Sequence, residues 1–170
     1  MINFRILNPI DKDFYEMYCK SYKWDTNHLY ATSKSPLGFI IEFSQNFALY
    51  KDNKFIGYGS FNFNTPIDSS YIKNSQYNQI SVKEKLEKSF ISKVELSYII
   101  KPEYRKMGYG RILLEYLIKE AKKIETINVI EVEIMKKNIA SISLIKKFDF
   151  EFKYFNDSTI VFQKQLKNRF

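Results

Sequence analysis

The chain is predicted to fold as a mixed α/β protein with a β-α-β unit at its centre. Val94 to Ile100 is a strand-forming run that feeds a glycine-bearing loop, Leu113, Leu117, Ala121 and Ile124 then recur at helical spacing, and Val129 to Met135 returns to strand. Upstream, Phe47 to Tyr50 and Phe55 to Phe63 flank Lys51-Asp52-Asn53-Lys54. Asp-Asn accepts the positive φ of a tight turn, so these runs predict an antiparallel hairpin. The length of 170 residues suits one domain, whose core needs no disulfide or metal.

Taken in order, Ile2 to Leu7 predicts a first strand. Pro9 suits the first turn of a helix running to about Tyr22, with Ile10, Phe14, Met17 and Tyr18 on its inner side. A second helix is expected at about Leu37 to Ser44. The polar stretch Asn64 to Ser92 holds Pro66, Asp68-Ser69-Ser70 and an amphipathic piece at Val82 to Phe90, and reads as a long insertion before the fourth strand. The helix from Gly110 to Ile124 ends in Lys119, Lys122 and Lys123, which suit the negative end of its dipole. After the strand Val129 to Met135 come a helix at Ile139 to Lys147 and two closing strands near Phe150 to Phe155 and Thr159 to Gln163. No internal period recurs, so 1–170 reads as a single unit.

Composition excludes several classes. One cysteine, Cys19, and one histidine, His28, cannot build a Cys/His zinc cluster or an internal disulfide, and no metal is expected. A Ser-His-Asp hydrolase would need His28 as base, and no G-x-S-x-G elbow exists. No stretch reaches the roughly 18 uncharged apolar residues of a membrane span, and Arg5, Asp11 and Asp13 interrupt any secretory layout, so the expected compartment is the cytoplasm. The net charge of +8 is carried by dispersed lysines, with arginine only at 5, 105, 111 and 169. Nucleic acid is therefore left open as a partner but not favoured, because bidentate readout uses arginine.

The chemistry concentrates between the central strand and its helix. The basic loop opens directly into the helix N-terminus, where unpaired N–H groups and the positive dipole end suit an anion, and Gly108 and Gly110 would let a phosphate approach the main chain. A Walker loop needs Lys-Ser/Thr after its last glycine, and Gly110 is followed by Arg111-Ile112. A dinucleotide fingerprint needs Gly or Ala where Leu113 stands.

What remains is R-x-x-G-x-G, written Arg105-Lys106-Met107-Gly108-Tyr109-Gly110. Downstream runs Asn138-Ile139-Ala140-Ser141-Ile142-Ser143-Leu144-Ile145-Lys146-Lys147-Phe148-Asp149-Phe150. The first resembles the pyrophosphate loop of the GNAT superfamily of acyl-CoA-dependent N-acetyltransferases, and the second resembles that family's N-x-x-S-x-x-L-x-x-K-x-G-F signature. The resemblance implies a mostly antiparallel sheet of six to seven strands, about four flanking helices, and a splayed strand pair that holds acyl-CoA. It implies acetyl-CoA as the donor, with Tyr98, Ile99 and Ile100 along the pantetheine. A main-chain N–H of Ile99 or Ile100 would polarise the thioester carbonyl. The pyrophosphate would lie on the segment Arg105, Lys106, Met107, Gly108, Tyr109, Gly110 and Arg111. Asn138 and Ser141 would lie beside the pantetheine, although Asn138 also fits a plain helix N-cap.

Attack on a thioester requires a neutral amine, so a base must take a proton. Glu95 and Glu133 are the two candidates that the resemblance offers. Two departures stand out. Ile145 occupies the position where many members carry a tyrosine that protonates the leaving thiolate, and Tyr98 or Tyr154 are the alternatives. Asp149 replaces the usual glycine after the helix, and Asp enters the left-handed region more readily than most residues. The implied activity is acetyl transfer to a primary amine of a small molecule or peptide by direct attack. A CoA-binding module without catalysis and a toxin-type enzyme acting on aminoacyl-tRNA stay open, as do monomer and homodimer.

Overall fold

The computed structural model describes residues 1–20, 23–24, 44–63 and 92–166. Asp52 and Asn53, at φ 48° and 62°, turn the chain between β2 (Ser44–Lys51) and β3 (Lys54–Asn62) as their residue types predict. β1 (Ile2–Leu7) adds antiparallel to β2, and β4 (Lys93–Ile100) adds antiparallel to β3. Past α2 (Tyr109–Lys122) the chain returns as β5 (Val129–Met135) in parallel with β4, and β6 (Glu151–Phe155) and β7 (Thr159–Gln165) close the far edge. The seven-stranded sheet has the order β1-β2-β3-β4-β5-β7-β6.

Both faces of the sheet are packed. On one, Phe47, Phe61, Leu96 and Val132 meet Leu113, Leu114 and Leu117 of α2 and Ile145 of α3 (Ile139–Lys146). Gly59 permits this approach: a Cβ there would lie 2.3 Å from Leu117 Cδ1. On the other face, Leu7, Ala48, Tyr50, Tyr58 and Ile99 pack with Phe14 and Met17 of α1 (Lys12–Lys20).

The first helix starts later than Pro9. Asn8 donates its N–H to the Asp11 carboxylate at 2.8 Å while the Asp11 N–H returns to Asn8 O at 2.9 Å. This local turn encloses Pro9 and delays the helix to Lys12, which leaves Ile10 outside it and 67% exposed instead of buried. Three α-helices and one 3₁₀ turn, Pro102–Tyr104, occur among the described residues, against about four helices expected. The helix expected at 37–44 falls outside them except for Ser44, which begins β2, and the 64–92 insertion lies outside except for Ser92.

The end of α3 bears out the expectation for Asp149. It sits at φ 59° and donates to Lys146 O at 3.3 Å, and the Phe150 N–H reaches back to Ile145 O at 3.5 Å. These bonds, with Phe150 and Ile145 both buried, form a Schellman closure.

Candidate active site

The central strands part at one register. β4 and β5 pair only at Lys93 with Val129, Val94 with Ile130 and Glu95 with Glu131. Beyond that point β4 stays with β3 to Ile100 and β5 stays with β7 to Met135, so their inner edges face an opening. The Lys101 N–H donates to Ile56 O at 2.9 Å. Strand alternation from this bond sends the amides of Glu95, Ser97 and Ile99 to β3 and those of Leu96, Tyr98 and Ile100 toward β5, where the Leu96 N–H still closes the Glu95–Glu131 bridge and those of Tyr98 and Ile100 face the opening. Of Ile99 and Ile100, the latter therefore presents its N–H there. Ile99 instead buries its side chain in the cluster beneath α1.

The loop after β4 is shaped by two left-handed residues, Lys106 at φ 60° and Gly108 at φ 86°. Gly108 precedes α2 and gives it no side-chain cap, so the first-turn N–H groups and the positive dipole end stand without a side-chain acceptor. A Cβ on Gly108 would meet nothing within 4 Å, so φ, and not crowding, requires glycine here. At Gly110 a Cβ would lie 3.6 Å from Leu144 Cδ2, an ordinary contact with α3. Met107 is 60% exposed at the loop tip, Lys106 and Arg111 are exposed, and Tyr109 is half-buried beneath the Lys51 ammonium, 5.7 Å from its ring.

Arg105 is turned inward. Its Nε–H donates to Ile100 O at 3.0 Å and its terminal nitrogen donates to Trp24 O. The guanidinium thus anchors the loop to the end of β4 and to residue 24. Lys101 strengthens the same junction through Glu16 at 2.5 Å and through the rings of Phe55 at 4.8 Å and Trp24 at 5.3 Å. Nothing in the sequence announces the Arg105 contacts, because both acceptors are backbone carbonyls.

On the α3 side, Asn138 caps the helix: its Oδ1 accepts the Ser141 N–H at 3.2 Å, which leaves the amide Nδ2 to donate elsewhere. The Tyr98 hydroxyl and Ser141 Oγ lie 2.7 Å apart, so Tyr98 spans from β4 to α3 across the parted strands. Burial pushes its phenol up to about 12, against a smaller opposing effect of the Ser141 bond. Ile145 is fully buried in the core. Of the two alternative tyrosines, Tyr98 reaches α3 one turn before Ile145, whereas Tyr154 lies 46% exposed on the edge strand β6.

The two glutamates differ in setting. Glu133 Oε1 accepts from Asn156 Nδ2 at 2.7 Å and from the Thr159 hydroxyl, so its carboxylate is fastened to the β6–β7 side. Glu95 is half-buried at the last paired register, at the foot of the opening. Among the described residues no group of three or more His, Cys, Asp or Glu could hold a metal ion, and no helix is long and apolar enough to cross a membrane.

A model of the GNAT acetyltransferase family matches residues 10–150. Among solved structures, the Campylobacter jejuni N-acetyltransferase PseH in complex with acetyl coenzyme A superposes with a TM-score of 0.64 at 16% identity, over 98% of this chain and 100% of that one. The ribosomal-protein-S18-alanine N-acetyltransferase of Escherichia coli gives 0.61 at 16% identity, over 97% of this chain and 94% of that one. A GNAT acetyltransferase from Streptococcus pneumoniae gives 0.65 at 14% identity, over 98% and 100% respectively. At such identities the likeness is one of fold. No curated protein matches the chain by sequence. The family match spans both motifs and the parted strands between them, and the chain belongs to the GNAT family of acetyltransferases.

Proposed function

We propose that this acetyltransferase moves the acetyl group of acetyl-CoA to a primary amine by direct attack in a ternary complex. The observation that carries the proposal is the parting of β4 from β5 at Glu95, directly before a loop that leads into an uncapped helix N-terminus. The pantetheine amides would pair with the main chain of Tyr98 and Ile100, as an added strand would. The Asn138 amide would donate to the same arm. The pyrophosphate would rest on the N–H groups of Lys106 to Tyr109, with the exposed Lys106 and Arg111 adding charge. Arg105 acts as a positioning residue. The acetyl-CoA bound to the C. jejuni protein supports this choice of donor.

In the reaction the amine nitrogen bonds to the thioester carbon and the C–S bond breaks. The CoA thiolate leaves, and the amine's proton passes to Glu95, directly or through water. The Tyr98 N–H, the opening-facing amide nearer to Glu95, polarises the thioester carbonyl, and Ile100, about 16 Å along the strand from Glu95, lies beside the pantetheine. Glu95 is chosen over Glu133 because it stands at the foot of the opening, whereas the Glu133 carboxylate is turned to Asn156 and Thr159 on the β6–β7 side. No phenol occupies position 145, and a thiolate can leave at neutral pH without one. Residues 1–170 act as one domain that carries the 64–92 insertion, an assignment supported by superposition of 98% of the chain on a single acetyltransferase.

Calorimetric titration of acetyl-CoA, CoA and NADPH into nucleotide-stripped protein tests the donor site, followed by thiol release with a panel of amines. Saturable binding of both CoA species, none of NADPH, and amine-dependent thiol release are expected. Absence of acetyl-CoA binding overturns the proposal, and binding without thiol release reduces it to a CoA-binding module. Steeply salt-dependent binding of aminoacyl-tRNA would move the acceptor to nucleic acid.

A further inference from the structure

On the face of the sheet that carries α1, the apolar cluster formed by the described residues ends partway along the strands. Tyr58, Ala48 and Ile99 lie in the cluster with Phe14 and Met17, but the next residues on that face are Asn46, Ser60 and Ser97, joined across β2, β3 and β4. The row after that is polar over five strands: Ser44, Asn62, Glu95, Glu131 and Gln163 stand in register. Such a row on a packed face is costly unless its groups find partners.

Several do. Ser60 donates to Asn46 Oδ1 at 2.5 Å, Asn46 Nδ2 donates to Ser44 Oγ at 3.1 Å, and Gln163 Nε2 donates to Glu131 at 2.6 Å. Asn62 differs: its Nδ2 is buried and has no hydrogen-bond partner. This unfilled donor belongs to the residue directly opposite Glu95 in the β3–β4 pair. Side chains at opposed positions start roughly 5 Å apart, so a single small functional unit can meet both.

We propose that Asn62 is a specificity residue for the amine acceptor, and that its Nδ2–H donates to an oxygen carried on the second carbon from the reacting nitrogen. The acceptor class is then an amine with a neighbouring hydroxyl or carbonyl, whose N–C–C–O unit places nitrogen at Glu95 and oxygen at Asn62. A plain alkylamine leaves the buried donor unfilled and is discriminated against. This assignment rests on acetyl transfer at the β4–β5 opening with Glu95 as base.

The test compares matched amines in the thiol-release assay, 2-aminoethanol with n-propylamine and glycinamide with isobutylamine, using the wild type, Asn62→Leu and Asn62→Ser. The wild type is expected to favour the oxygen-bearing member by about tenfold or more in kcat/KM expressed per neutral amine, which removes the lower basicity of the oxygen-bearing amines. Asn62→Leu brings that ratio toward one, mainly through KM, and Asn62→Ser, which keeps a donor, falls between. The melting temperature of Asn62→Leu does not fall, since an unmet donor is removed and no bond is lost; a drop there with the ratio intact marks a structural role and overturns the proposal. Should the leucine variant not fold, the serine variant decides by the same ratio. Preference for 2-aminoethanol over glycinamide identifies a small hydroxyamine, and the reverse identifies an aminoacyl terminus. No wild-type preference, or no turnover of oxygen-bearing amines while acetyl-CoA still binds, overturns this inference alone. Failure to bind acetyl-CoA overturns the function on which it rests.

Discussion

Tyr98 on β4 and Ser141 on α3 meet at 2.7 Å across the gap where β4 and β5 no longer pair. One side-chain bond thus joins two elements at a place where the backbone ladder has ended. Tyr98→Phe is expected to cost about 1 kcal/mol, the net worth of one hydrogen bond. The same phenol is held neutral up to about pH 12 by burial, against about 10 in an unfolded chain. Below pH 10 both states keep the proton and the contribution is constant. As pH rises from 10 toward 12 the unfolded chain ionises first, so stability falls, by an amount on the order of 2 kcal/mol. Denaturant titrations through this range should show a shallower decline in Tyr98→Phe than in the wild type.

Gly108 and Gly110 should respond oppositely to alanine. At Gly108, with φ 86°, a Cβ is strained although the space is open, and a loss of about 1–2 kcal/mol is expected together with weaker acetyl-CoA binding. At Gly110 the added methyl would make an ordinary contact with Leu144 at 3.6 Å inside a helix, and stability should rise by up to about 1 kcal/mol. Thermal melts of the two variants check this. Equal destabilisation would contradict the conformational account of Gly108.

Lys106 and Asp149 hold left-handed backbone at φ 60° and 59° with a side chain attached. Replacing either with glycine should raise stability by about 0.5–1 kcal/mol. Asp149 would give up its contact with Lys164 at 3.7 Å, but its side chain is 91% exposed, and a pair so open to water contributes little. Lys106→Gly should also weaken CoA binding and lessen its salt dependence, which calorimetry at two ionic strengths would read.

Glu95→Gln is expected to lower kcat by about 10²-fold or more and to remove the rise of rate with pH that a general base produces. Glu133→Gln keeps an oxygen for Asn156 and Thr159 and should change kcat by less than tenfold. Steady-state rates across pH separate the two, and the reverse ranking would transfer the base to Glu133.

Much of this arrangement could be read from residue types, because it follows local rules. Asp52-Asn53 predicted its turn, the alternation of Val129 to Met135 predicted β5 to the residue, and Asp149 took the backbone that its short polar side chain tolerates. The parting of β4 and β5 came from family resemblance and not from periodicity, since both strands keep their pattern past Glu95 and Glu131. The inward turn of Arg105 was not legible, because Ile100 O and Trp24 O are carbonyls that any residue could supply. Nor was the fastening of Glu133, which depends on Asn156 and Thr159, residues brought near only by the β6–β7 hairpin. The late start of α1 reflects a local turn, in which the Asp11 carboxylate accepts the Asn8 N–H and the Asp11 N–H bonds back to Asn8 O.

The parted strands also write a pattern into the backbone that solvent can read. Along β4 the amides of Ser97 and Ile99 are locked in the ladder with β3 and that of Leu96 in the last bridge with β5, while those of Tyr98 and Ile100 face the opening. Hydrogen exchange in the free protein should therefore alternate residue by residue, slow at 97 and 99 and fast at 98 and 100. Filling the opening should even out that alternation, so that β4 exchanges as a strand paired on both sides.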